Sequence, residues 1–105
     1  MLSGRLAFLS VVVLAAVSVL ARAATIRITI DKLAFSPAVV STRVGDTVEW
    51  VNKDALAHTA TARDGAFDVT LPPSKTVSSV LKKAGTLDYY CRFHPNMKAT
   101  LTIAP

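Results

Sequence analysis

Tyr90-Cys91-Arg92-Phe93-His94-Pro95-Asn96-Met97 is the stretch from which the rest of this 105-residue chain can be read. It contains the only cysteine, one of two histidines and one of two methionines, the other being Met1. A thiolate, an imidazole and a thioether within seven residues are soft and borderline donors that suit copper. A known copper set is two His and one Cys in a plane with a long axial Met. The stretch supplies three of those four donors, and the only histidine left for the fourth is His58. Three extended residues span roughly 10 Å, so Cys91 and His94 meet at one ion only if the loop curls back. Pro95 restricts φ at that bend, removes one amide donor and biases His94 toward extended backbone.

Working outward, the parity of apolar residues decides the fold class. Leu87, Tyr89 and Cys91 share one face of a strand over Thr86 to Cys91, and Met97, Ala99, Leu101 and Ile103 alternate with Lys98, Thr100 and Thr102 in the last strand. Upstream, Ile26, Ile28 and Ile30 share a face within Thr25 to Asp31, and Val48, Trp50 and Asn52 do so within Thr47 to Asn52. Trp50 is the natural centre of a core. Leu33 and Phe35 continue the apolar signal until Ser36-Pro37 breaks it, and Ala38 to Thr42 forms a second short strand. His58 to Ala62 directs His58, Ala60 and Ala62 inward, and Phe67, Val69 and Leu71 run into Pro72-Pro73. Thr76 to Leu81 is strand-like with ambiguous phase, because Val77 and Val80 differ in parity. Gly45-Asp46, Asp64-Gly65 and Ala84-Gly85 mark turns. Short alternating strands at regular spacing, with no helical period after the N-terminal segment, predict an all-β antiparallel sandwich of about seven or eight strands.

Residues 1–23 read as a signal peptide: Arg5 is a small positive n-region, Leu6 to Leu20 an apolar run, and Ala21-Arg22-Ala23 an A-x-A-like cleavage site. The run is short for a span of about 20 residues, which leaves an uncleaved membrane anchor as the alternative. The sequence has no Arg-Arg pair, which favours export by the general route into the periplasm. Residues 24–105 then form one domain. One cysteine closes no intrachain bridge, so an odd cysteine in an exported chain asks for another role. From Ala24 onward ten Lys/Arg stand against seven Asp/Glu, a net charge of +3 with the charges scattered singly. That pattern reads first as an ordinary solvated mixed surface, with steering of an acidic redox partner as the alternative. With no basic stripe and no interleaved aromatics, nucleic acid is excluded as a partner.

Cys91-x-x-His94-x-x-Met97, with Val48-Glu49-Trp50-Val51-Asn52 and His58-Thr59 upstream, resembles a small type 1 (blue) copper protein of the cupredoxin family. The two-residue spacers resemble the short ligand loop of amicyanins more than the longer loops of plastocyanins or azurins. The resemblance implies a Greek-key sandwich, one copper ion held by His58, Cys91, His94 and Met97, and no enzymatic activity. It implies a monomer that carries single electrons between a donor and an acceptor such as a dehydrogenase or a cytochrome. In this picture His94 lies at the surface and His58 is enclosed. Phe93 and Pro95 form an apolar docking patch, and Asn52 matches the position whose hydrogen bonds tie the His58 loop to the loop carrying Cys91. Two residues depart from the family's habit: Ala57 stands where proline is frequent, and Arg92 where a small or polar residue is common. An unscreened Arg92 charge favours the reduced ion and raises the potential.

Taken singly, each residue has an ordinary reading as well. Cys91 and Met97 can be core filler, His94 an exposed loop side chain, His58 a satisfied histidine at a strand end, and Asn52 a turn residue. A copper carrier or storage module uses the same four donors without electron transfer. An enzyme with Cys91 as nucleophile and a histidine as base lacks any signature for an orienting acid or an oxyanion hole, and leaves Met97 without a role.

Overall fold

The computed structural model describes residues 22–105 together with Ser10, so most of residues 1–23, read above as a signal peptide, lies outside the described residues. Those residues form nine strands and no helix: β1 (Thr25–Asp31), β2 (Ala34–Ser36), β3 (Val39–Arg43), β4 (Thr47–Asn52), β5 (His58–Ala62), β6 (Asp68–Leu71), β7 (Thr76–Val80), β8 (Gly85–Tyr90) and β9 (Lys98–Ala104). They make two facing sheets, one ordered β2-β1-β4-β7 and the other β3-β9-β8-β5-β6.

The alternation read from the sequence becomes burial. Ile28, Ile30, Val48, Trp50, Leu71, Tyr89, Leu101 and Ile103 fill the space between the sheets. At the centre the Trp50 ring meets Tyr89 edge-on at 5.3 Å, and Phe35 meets Tyr89 at 4.8 Å. Such offset arrangements satisfy the aromatic quadrupoles while burying large apolar area. The indole N–H donates to Ser79 Oγ at 2.9 Å, which leaves the buried Trp50 satisfied.

The sandwich is present, with two differences from expectation. The extra strand is β2: three residues, with Phe35 buried between exposed neighbours, too short for alternation to reveal. The pairing is also mixed, since β1 runs parallel to β4 and β3 parallel to β9. The physical reason is the crossover: β3 leaves for the other sheet, so β4 returns beside β1 in the same direction. The ambiguous phase of β7 resolves as an edge strand, with Val77 half-buried, Val80 exposed and Leu81 buried just past its end.

The β1–β2 connection is a two-residue hairpin, Asp31 pairing with Ala34 across Lys32-Leu33. Both turn residues have positive φ, 52° and 61°, the conformation of a primed turn in which glycine or asparagine is usual. The Asp54 carboxylate offsets that cost by accepting the Lys32 N–H at 2.8 Å and the Leu33 N–H at 3.0 Å.

Candidate metal centre

At one end of the sandwich, the chain leaves β8 at Cys91 and re-enters β9 after Met97. The Cys91 N–H donates to the Met97 carbonyl at 3.1 Å, and the Met97 N–H donates to the His94 carbonyl at 2.9 Å. These bonds curl the loop back as the spacing required. His94 Nδ1 thereby comes within 3.8 Å of Cys91 Sγ.

His58 arrives from the start of β5, with its Nδ1 3.7 Å from the same sulphur. One donor atom from each of His58, Cys91 and His94 lies within 4.8 Å of the others. His58 and Cys91 are fully buried, whereas His94 is half-exposed. Met97 is buried at the foot of the same loop.

The tautomer of His58 follows from its neighbour. Its Nε2 lies 2.8 Å from Asp54 Oδ2, and an ionised carboxylate can only accept. The proton therefore sits on Nε2, and the Nδ1 lone pair faces the thiol. Burial pushes the Asp54 carboxyl up, but the Leu33 amide, the His58 ring and the Lys32 amide together hold it below its ordinary value. Asp54 thus orients His58 and secures the strained β1–β2 turn at once.

Two more bonds fix the sulphur. The Thr59 N–H points at Cys91 Sγ at 3.4 Å, and the Thr59 hydroxyl accepts the Arg92 N–H at 2.8 Å. Asn52 does not make the link expected of it. Its Nδ2 donates to the carbonyls of Leu56, Leu71 and Pro72, and its Oδ1 accepts the Asp54 N–H, so it ties the His58 loop to the end of β6. The tie to the Cys91 loop passes through Thr59, because Thr59 is the β5 residue that faces that loop.

Sequence reasoning missed both Asp54 and Thr59. Asp54 is one polar residue in a polar loop, and Thr59 has the parity of an outward residue although it is fully buried. Arg92 is also not free: its Nε donates to Asp68 Oδ1 at 3.2 Å, and its guanidinium sits over the Phe93 ring.

Around the half-exposed His94 edge, Leu33, Phe93, Pro95, Asn96 and Met97 line a shallow opening of about 360 Å³. Phe93 is 53% and Leu33 47% exposed, which makes this rim apolar. A larger depression of about 580 Å³ lies on the outer side of the β8–β9 region, against Arg63, Asp88 and Lys98, away from the three donors.

A β-sandwich that brings one thiol and two imidazoles together in a water-poor pocket at one end defines a metal-binding sandwich protein, and this donor set fits copper. The chain belongs to the cupredoxin family: residues 4–103 match the Cupredoxin-like domain. Amicyanin-alpha of Methylorubrum extorquens is 32% identical over 89 residues, which are 79% of this chain and 75% of that protein. Amicyanin of Paracoccus denitrificans is 28% identical over 80 residues, and the match spans 70% of this chain but 61% of that relative's length. Among solved structures, a reduced Cu(I) form of an amicyanin variant superposes with a TM-score of 0.65 at 28% identity, covering 75% of this chain and 81% of the other.

Proposed function

We propose that this protein is an exported carrier of single electrons, with His58, Cys91, His94 and Met97 holding one copper ion. The observation that carries the reading is the convergence of His58 Nδ1 and His94 Nδ1 on Cys91 Sγ, at 3.7 and 3.8 Å, in a pocket whose outer wall is the His94 edge. When bound, copper supplies a one-electron Cu(I)/Cu(II) couple.

The residues do the rest. Asp54 holds the His58 proton on Nε2 and keeps Nδ1 available; Thr59 donates to the sulphur; the short loop closed by the Cys91–Met97 and Met97–His94 bonds resists rearrangement when charge changes. Leu33, Phe93 and Pro95 give a partner an apolar surface around His94, where electrons would enter and leave. The donor and acceptor are redox proteins, a dehydrogenase or a cytochrome, that bind the monomer transiently.

Export to the periplasm, with removal of residues 1–23, is part of the same reading. The Ala24 nitrogen lies 2.8 Å from Asp46 Oδ1, so a chain cut after Ala23 would place its new ammonium against that carboxylate. Mass spectrometry of the exported protein checks this.

The decisive measurement is the absorption spectrum after adding Cu(II) to the purified chain and to Cys91→Ser. An intense blue colour in the parent, lost in Cys91→Ser, and a reversible voltammogram are expected. A colourless Cu(I)-only protein that exchanges its metal readily would instead identify a copper carrier.

A further inference from the structure

On the solvent side of Cys91, residues from β5, β6 and the ligand loop are joined in a ring of hydrogen bonds. The Arg92 N–H donates to Thr59 Oγ1 at 2.8 Å, the Thr59 and Thr61 hydroxyls lie 2.9 Å apart, and the Thr61 hydroxyl donates to Asp68 Oδ1 at 2.7 Å. The same Asp68 oxygen accepts Arg92 Nε at 3.2 Å, which closes the ring.

Chemistry sets the direction of every link. A carboxylate only accepts, so Thr61 commits its one hydroxyl proton to Asp68. The Thr59–Thr61 contact must then run from the Thr59 hydroxyl to the Thr61 oxygen. That leaves a Thr59 lone pair for the Arg92 amide. All the donors therefore point toward Asp68. The Asp68 carboxyl is held below its ordinary value, first by the Thr61 hydroxyl and, against burial, by Arg92, so it is anionic at neutral pH. Hydrogen bonds in such a one-way chain polarise one another, and the anion at its end strengthens each acceptor upstream.

We propose that Asp68 is a positioning residue for the redox centre: through Thr61 and Thr59 it holds the Arg92 amide beside Cys91, and through the guanidinium it neutralises the cationic charge of the residue that follows Cys91. The proposal rests on reading His58, Cys91, His94 and Met97 as copper ligands. Thr59 is the pivot, because its amide donates to Cys91 Sγ while its hydroxyl is held between Arg92 and Thr61. An uncompensated guanidinium there favours the reduced ion, and Asp68 opposes it.

Asp68→Asn, in the full chain, tests this by two readouts. Voltammetry of the copper form should show a higher midpoint than the parent's, and amide exchange in the metal-free form should show the Arg92 N–H exchanging faster, because the neutral amide oxygen still accepts from Thr61 but no longer polarises the relay as an anion does. Thr61→Val keeps the Arg92–Asp68 pair but cuts the relay, so it should speed the Arg92 amide while leaving the midpoint nearer the parent's. Asp68→Glu restores the anion and should return the midpoint toward the parent's, which a mere loss of folding would not allow. A midpoint at or below the parent's in Asp68→Asn overturns the proposal, as does an Arg92 amide indifferent to both Asp68→Asn and Thr61→Val. Failure of the parent to bind copper would sink the ligand assignment instead, and the metal-free amide exchange would still report on the relay.

Discussion

Asp54 carries more of the site than its place in a polar loop suggests. One side chain accepts from two amides in a turn with positive φ and from the His58 ring, while its own amide is held by Asn52. Removing it leaves two turn amides without their acceptor and frees the imidazole to rotate. Asp54→Ala is therefore expected to cost about 2 kcal/mol of stability in the metal-free protein. Loss of a carboxylate that orients a ligating histidine typically costs about 10–100-fold in metal affinity. Urea denaturation and copper titration check the two effects; a variant with parental stability would show that water replaces the carboxylate in the turn. At this scale the clustered His58, Cys91 and His94 were legible because each carries a donor atom rare in this composition. Asp54 and Thr59 were not, since Asp and Thr are common and their roles depend on what they face.

Among the elements, the β1–β2 turn holds a reserve of stability. Lys32 and Leu33 occupy left-handed backbone, which costs a non-glycine residue roughly 1–2 kcal/mol. Replacing Lys32-Leu33 with Asn-Gly, the pair suited to this turn, should raise stability by about 1 kcal/mol, or about 4–8 °C in Tm for a domain of this size. An unchanged or lower Tm in calorimetry would mean that the Asp54 bonds already compensate fully. The strand boundaries of β4 and β5 are those read from the sequence, and β4 alternates throughout because a strand buried on one face must, whereas β5 departs at the buried Thr59. The three-residue β2 had no room to alternate, and it exists because Phe35 inserts beside Trp50 and Tyr89. The Asn52 bonds likewise depend on Leu71 and Pro72 arriving from 19 and 20 residues away.

At the scale of the molecule, four carboxylates among the described residues are held below their ordinary range. The amides of Ala24 and Arg43 act on Asp46, the Ala66 amide and Lys83 on Asp64, and the Thr61 hydroxyl, with Arg92, on Asp68; on Asp54 burial works the other way and is outweighed by its amide and imidazole partners. A lowered pKa in the folded state means that the unfolded chain takes up protons first as pH falls. The stability these groups supply is present above the unfolded value near 3.8 and is lost as pH drops through the folded values. The Tm of the metal-free protein should be level from pH 7 to about 5 and fall steeply below about 4. A Tm that holds at pH 3 would contradict this.

The sequence by itself determined the class of fold and singled out His58, Cys91 and His94, which the fold brings together, because strand period and donor chemistry are local properties written into neighbouring residues. Only the tertiary structure decided the two parallel pairings, the turn-and-imidazole role of Asp54, and the ring joining Asp68 to the Arg92 amide. Those depend on segments distant in sequence meeting at hydrogen-bond distance, which no local pattern encodes.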